Sequence, residues 1–186
     1  MKRVFDCILA STLAIILLTP MILLAIAIKL NSKGPVFFVS ERVGQDNHLF
    51  QMIKFRSMKM DTPIVSTDLL DEPKRFLTSI GSFLRRSSVD ELPQIWNILI
   101  GDMSFVGPRP ALFNQVELIT LRTEKSIQKM VPGLTGWAQV NGRDELTLRD
   151  KVRLDHEYML KQSFYFDLKI LWLTYLKVIR KESISH

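Results

Sequence analysis

The residues best suited to chemistry in this chain lie between Arg85 and Arg109. Arg85-Arg86-Ser87-Ser88-Val89-Asp90-Glu91-Leu92-Pro93 leads into an apolar stretch from Gln94 to Ile100, followed by Gly101-Asp102-Met103-Ser104 and Gly107-Pro108-Arg109-Pro110. Pro93 and Gly101 frame a short helix in the usual order, proline in the first turn and glycine past the last. Asp90 and Glu91 then stand just before a positive helix end, which favours their ionised forms. An ionised carboxylate can attack phosphorus to give an acyl phosphate, provided that cations offset the substrate's own charge. Arg85, Arg86 and Arg109 are available for this, and two prolines stiffen the turn that presents the planar guanidinium of Arg109 for bidentate phosphate contact. The same residues also fit a purely structural reading. Ser88-x-x-Glu91 matches a capping box, acidic residues commonly complement a helix dipole, and Arg109 serves equally as a surface ion-pair partner.

A second polar segment runs from Val131 to Arg143 and contains three glycines, a proline, two amides and an arginine. Glycines permit close backbone approach to a ligand. Trp137 can stack on a base while Gln139, Asn141 and Arg143 hydrogen-bond to it; a tight structural loop accounts for the glycines as well. The chain has no glycine-rich dinucleotide fingerprint, no Walker-type phosphate loop and no Asp-x-Asp pair, which disfavours the ordinary nucleotide-sugar folds. Cys7 is the only cysteine, and His48, His156 and His186 are scattered, which argues against a zinc site or a disulfide framework.

These residues must be positioned by a mainly helical chain. With 186 residues, 47% of them hydrophobic, the protein can bury one substantial core. Val36 to Val39 and Leu49 to Phe55 flank the polar turn Gly44 to His48 and read as a β-hairpin, and Asp61 to Pro73 reads as a surface loop. Helices are expected over Phe76–Arg86, Pro93–Ile100, Phe113–Met130, Leu146–Lys161 and Phe166–Lys181. At 100° per residue the last of these gathers Lys169, Lys177, Arg180 and Lys181 on one arc and Leu168, Leu171, Trp172, Tyr175, Leu176, Val178 and Ile179 on the other. Such a helix either packs its apolar face on the core or lies in a membrane interface.

The N-terminus carries 22 uncharged residues, Cys7 to Ile28, enough for a helix to cross a ~30 Å hydrocarbon layer. Thr19-Pro20 interrupts the run, and a kink or break is expected there. Lys2 and Arg3 precede it while Lys29, Lys33 and Arg42 follow it, so both ends carry the cytoplasmic signature. A hairpin entering and leaving on one face satisfies this; a single kinked span and a cleavable signal peptide are the competing readings. The formal net charge of +6 suits anionic partners, whether nucleic acid, acidic lipid or phosphorylated substrate.

Taken together, the Lys2-Arg3-x-x-Asp6 start, Lys54-Phe55-Arg56-Ser57-Met58, Arg85 through Pro93, Gly101 through Pro110 and Pro132 through Arg143 resemble the bacterial sugar transferase family. These are the monotopic phosphoglycosyl transferases, and the resemblance, covering about Lys2 to Lys181, is to the minimal members with only a catalytic core. It implies an α+β, mainly α fold: a re-entrant membrane helix hairpin over residues 1–33, and a catalytic domain over 34–186 with a small β-hairpin and amphipathic interfacial helices. Family members break the hairpin at Ser-Pro, where this chain has Thr19-Pro20. The resemblance further implies transfer of a sugar 1-phosphate from a UDP-sugar to polyprenyl phosphate (undecaprenyl phosphate), with release of UMP. Asp90 would be the nucleophile and lie near Mg²⁺, Glu91 its partner in the dyad, Arg109 the phosphate-binding arginine, and Arg85, Gln139 and Arg143 further substrate contacts. Membrane lipids, but no nucleic acid, complete the implied partners, and the implied location is the cytoplasmic face of the bacterial inner membrane. The rival from another class is a non-catalytic, membrane-anchored basic protein that binds anionic lipid or nucleic acid.

Overall fold

The computed structural model describes residues 1–63, 72–142 and 145–180. Most of the expected surface loop, along with Arg143, Lys181 and His186, lies outside the described residues. Helix α1 (Lys2–Asn31) leads to the antiparallel hairpin of β1 (Phe37–Val43) and β2 (Leu49–Phe55). Helices α2 (Gly81–Arg86) and α3 (Gln94–Ile100) follow, then β3 (Ser104–Val106), α4 (Val116–Glu124), β4 (Gly133–Thr135), α5 (Trp137–Val140), α6 (Leu148–Lys161) and α7 (Phe164–Arg180). The fold is mainly helical with a small β-hairpin, as the sequence suggests.

Helix α1 is long and apolar enough to cross a membrane. It continues through Pro20, so the expected break is absent from the helical path. Proline's φ is itself helical, and its missing amide deprives only the Ile16 carbonyl of its usual donor. Along its length α1 lays a single stripe on the rest of the protein. Leu9, Ala10, Leu13, Ala14 and Leu17 pack on the main core, and Met21, Leu24, Ala25 and Ile28 on a second cluster with Phe55 and Leu84. The outward face, including Ile8, Ile15, Leu18, Ile22 and Ile26, is exposed.

Polar contacts fasten both ends of α1 to that same body. Lys2 pairs with Asp167 of α7 at 2.6 Å, while the Arg3 guanidinium donates to the Ile98 and Leu99 carbonyls at the end of α3. Asp6, 3% exposed, accepts from the Ser104 hydroxyl at 2.8 Å and the Phe105 amide at 3.3 Å. At the far end the buried Arg56 donates to the Ser32 and Lys33 carbonyls at 2.9 and 2.6 Å. The N-terminal Lys-Arg-x-x-Asp pattern is therefore a set of fasteners as well as a charged flank.

Some expected helices are shorter. The Phe76–Arg86 segment becomes helical only at Gly81, because Leu77 bridges to Met58 and the Thr78 amide donates to the Ser57 carbonyl. The Phe113–Met130 segment yields only Val116–Glu124, ended by left-handed Ser126, after which a 3₁₀ turn brings Ile127 into the core. Sequence periodicity does not disclose the parallel pair β3–β4, since three-residue strands are too short to show alternation. This pair abuts the loop after Ser104–Val106 against the segment beginning at Pro132. A Cβ on Gly133 would lie 2.1 Å from the Gly107 nitrogen, so the backbones meet where only glycine fits.

Helix α7 resolves two alternatives left open by the sequence. Asp167 and Ile170 are buried, whereas Leu168, Trp172, Tyr175 and Ile179 form an exposed apolar stripe. The apolar arc is therefore split, with Leu171 packed against the core and the stripe facing outward. Of the expected basic arc, Lys169 and Arg180 are exposed, Lys169 lying over the Trp137 ring at 5.7 Å, while Lys177 lines a cavity.

Candidate active site

The carboxylates sit on a single 3₁₀ turn, Val89–Glu91, between α2 and α3. Ser88 adopts a left-handed φ of 57° and its side-chain oxygen accepts no capping hydrogen bond, so the capping box permitted by the sequence does not form. The reversal at Ser88 drives Asp90 inward to 8% exposure. Pro93 caps α3, and Gly101 ends it at φ 106°, matching the expected frame within one residue.

Glu91 is held by two cations. Its Oε1 accepts from Lys54 Nζ at 2.7 Å and Arg109 Nη2 at 3.1 Å. Arg85, at the end of α2, also bears electrostatically on Asp90, with its Nη1 3.2 Å from Met58 Sδ. The structure thus brings together Asp90, Glu91, Arg85 and Arg109, as expected. Arg86 instead turns outward, with its Nε on the Ser82 carbonyl.

The sequence reading assigned no site role to Lys54 or Arg42. Lys54 follows Ile53 in β2, whose amide donates to the Asn97 side-chain oxygen at 3.1 Å. The Asn97 side-chain amide donates to the Gln51 carbonyl at 2.8 Å, fastening the strand to α3 and setting Lys54 on Glu91. The available signal was a lysine near the end of a strand whose only other polar residue is Gln51. Arg42, read from sequence only as a positive flank, lies on β1 beside Arg109 and Glu91. Burial, reinforced by the Arg109 charge and opposed by Glu91, lowers its pKa to about 10.

The electrostatics differ from the helix-dipole expectation. Burial pushes the Asp90 carboxyl above its ordinary value and Glu91 adds to this, while Lys54, Arg85 and Arg109 oppose it. Removal from water therefore outweighs the short helix and the cations together. Burial likewise lowers Lys54, against the pull of Glu91. The site is a desolvated, charge-dense cluster in which Glu91 is firmly engaged by cations.

Behind it, the Arg122 guanidinium donates to the Arg109 carbonyl at 2.8 Å and pairs with buried Asp155 at 2.6 Å, fixing the turn that carries Arg109. Gln139, on α5, donates to the Leu134 carbonyl at 3.2 Å and lines the cavity beside Glu91 and Arg109. Its buried Oε1 has no hydrogen-bond partner. Trp137 does not offer a free face for a base: Phe166 lies 5.0 Å from its ring and Lys169 caps it. Among the described residues no group of three His, Cys, Asp or Glu side chains could hold a metal. The adjacent Asp90–Glu91 pair still fits Mg²⁺, which typically takes one or two protein carboxylates and completes its shell with substrate phosphate and water.

A membrane-length apolar helix thus packs beside a carboxylate pair rimmed by cations. The chain belongs to the bacterial sugar transferase family, whose sequence model matches residues 1–181. It is 42% identical to the UDP-glucose:undecaprenyl-phosphate glucose-1-phosphate transferase of Escherichia coli (strain K12), covering 95% of this chain and 40% of that protein. It is also 42% identical to the undecaprenyl-phosphate glucose phosphotransferase of Komagataeibacter xylinus, covering 99% of this chain and 36% of that protein. The chain therefore spans about two fifths of the length of these relatives. The uncharacterized sugar transferase EpsL of Bacillus subtilis (strain 168) is 42% identical and is covered over 90% of its length.

Proposed function

We propose that this chain is a phosphoglycosyl transferase that moves a sugar 1-phosphate from a UDP-sugar to polyprenyl phosphate, through a covalent phosphosugar intermediate on Asp90. The observation that carries this reading is the division of labour in the dyad. Glu91 is engaged by Lys54 and Arg109, while Asp90 sits desolvated next to it with its pKa raised by burial. A carboxylate whose charge is disfavoured in the resting protein is a stronger base and a better nucleophile toward an incoming phosphorus.

In the first displacement an Asp90 oxygen bonds to the sugar-linked phosphorus, the P–O bond to UMP breaks, and UMP leaves with the electron pair. In the second, a phosphate oxygen of the acceptor lipid attacks the same phosphorus. The acyl-phosphate P–O bond then breaks, Asp90 returns as carboxylate, and the product is a polyprenyl diphosphate sugar. Arg85 and Arg109 offset substrate charge, and Glu91 holds Lys54 and Arg109 in place. Mg²⁺, held by Asp90 with the substrate phosphates, would neutralise the diphosphate when bound. Gln139 lies where a substrate contact is feasible.

The lengthwise docking of α1, with both ends fastened to one body, supports a membrane element over residues 1–33 whose two ends stay on one face. A helix crossing at right angles to the membrane would separate Lys2 and Asp167 from Arg56 and Ser32 by the hydrocarbon layer. The body over 34–186 then faces the cytoplasm at the inner membrane, with the aromatic stripe of α7 at the lipid surface.

The test is single-turnover UMP release from UDP-sugars by the detergent-solubilised chain with Mg²⁺, together with mass analysis of the Asp90 peptide. Wild type should release about one UMP per chain without acceptor and gain a phosphosugar on that peptide; Asp90→Asn should do neither. Equal release by both proteins would overturn the assignment of Asp90.

A further inference from the structure

A cavity of about 240 Å³ opens beside Glu91 and Arg109. Its walls are mainly apolar: Leu13 and Leu17 of α1, Phe105 of β3, and Leu171 and Val178 of α7, with Lys177 among them. We propose that this cavity seats the isoprenoid segment next to the phosphate of the acceptor lipid, and that Lys177 binds that phosphate. This rests on the phosphoglycosyl transferase reading and assigns its second substrate a place.

Three observations converge on this occupant. Most of the wall suits hydrocarbon, and its polar side chains, chiefly Ser88, Glu91, Arg109 and Gln139, leave the leucine and valine faces without partners for the hydroxyl and imide groups of a sugar or uridine. The Thr135 and Thr174 hydroxyls in the wall bond to each other at 2.7 Å, and Thr174 also donates to the Ile170 carbonyl, so they do not call for a polar guest. Charge supplies the second observation. On α7, Lys177 lies seven and three residues on from Ile170 and Thr174, on their face of the helix, and lines the cavity, where a lysine can lay its stem on apolar surface and reach an anion. Glu91 and Arg109 line the same space, so the cavity that holds Lys177 also reaches the nucleophile's neighbour. Continuity is the third. Two of the walls, α1 and α7, carry exposed apolar stripes on their outer faces, so a chain too long for the cavity can leave it between two lipid-facing helices.

The cavity thus divides the two substrates by chemistry: donor charge meets Arg85 and Arg109, and acceptor hydrocarbon meets α1 and α7. The experiment is photolabelling of the full chain in nanodiscs with a diazirine-bearing short isoprenyl phosphate, alongside steady-state kinetics of Lys177→Gln. Adducts are expected within residues 13–17 and 171–178, competed by undecaprenyl phosphate and not by UDP-sugar. Lys177→Gln should raise the acceptor KM roughly tenfold, the loss of one charge-assisted contact, with less than about a twofold change in the UDP-sugar KM. Leu17→Trp, which fills the cavity, should suppress the α7 adducts. Adducts confined elsewhere, competition by UDP-sugar, or an unchanged acceptor KM in Lys177→Gln would each overturn the proposal. Labelling requires no turnover, so it reports on the cavity even if UMP release refutes the covalent mechanism.

Discussion

Arg122 supports the site from behind, and its removal has a calculable consequence. The guanidinium, 12% exposed, donates to Asp155 at 3.0 and 2.6 Å and to the Arg109 carbonyl at 2.8 Å. Asp155 is 1% exposed, so Arg122→Met strands a carboxylate beyond the reach of water. Removing one partner of a buried pair costs about 3–5 kcal/mol, and in a chain of this size each kcal/mol lowers the melting midpoint by roughly 2–4 °C. The expected fall is therefore roughly 6–20 °C, read by tryptophan fluorescence in mild detergent. Burial already holds the Asp155 carboxyl above its ordinary 3.8, with Arg122 opposing. An acid whose folded-state pKa is raised loses its contribution to stability as pH climbs from the unfolded value through the folded one. Arg122→Met raises the folded value further, so its deficit should be small near pH 4 and full at neutral pH. Arg122→Met/Asp155→Leu should recover most of the stability but little activity, because the Arg109 carbonyl still lacks its donor. A deficit below about 1 kcal/mol, or one constant between about pH 4 and pH 8, would refute the reasoning.

Further outcomes follow from the dyad and from the docking of α1. Asp90→Asn should raise the melting midpoint at neutral pH by about 2–4 °C, because burial outweighs the surrounding cations; the gain should vanish as pH falls toward the ordinary carboxylate value. Lys54→Met removes the strongest charge opposing that burial, so Asp90 should titrate higher and the acid limb of the UMP-release profile should move to higher pH. The same variant should cost about 3 kcal/mol of stability, since Glu91 keeps only part of its cationic surround. In a Cys7→Ser background, cysteines placed at positions 2 and 32 should both react with impermeant maleimide from the cytoplasmic side of oriented vesicles; reaction of position 2 solely from the periplasmic side would refute the one-face reading.

The sequence by itself determined the elements whose signals are local. Proline at the start and glycine at the end frame α3, alternation and a polar turn mark the β1–β2 hairpin, and an uncharged run of membrane length marks α1. It also placed Asp90, Glu91, Arg85 and Arg109 in one site, since three of the four lie within seven residues and the fourth on a stiff turn shortly after. Long-range contacts decided the rest. Lys54 and Arg42 join the site because the hairpin docks on α3 through Asn97, and β3–β4 unites two glycine-bearing segments through strands too short to show a period. The same holds for the charge state of Asp90 and the inward turn of Lys177. A helix dipole and a 100° arc are properties of an isolated segment, whereas desolvation and the choice of which face is covered exist only once the other elements are packed against it.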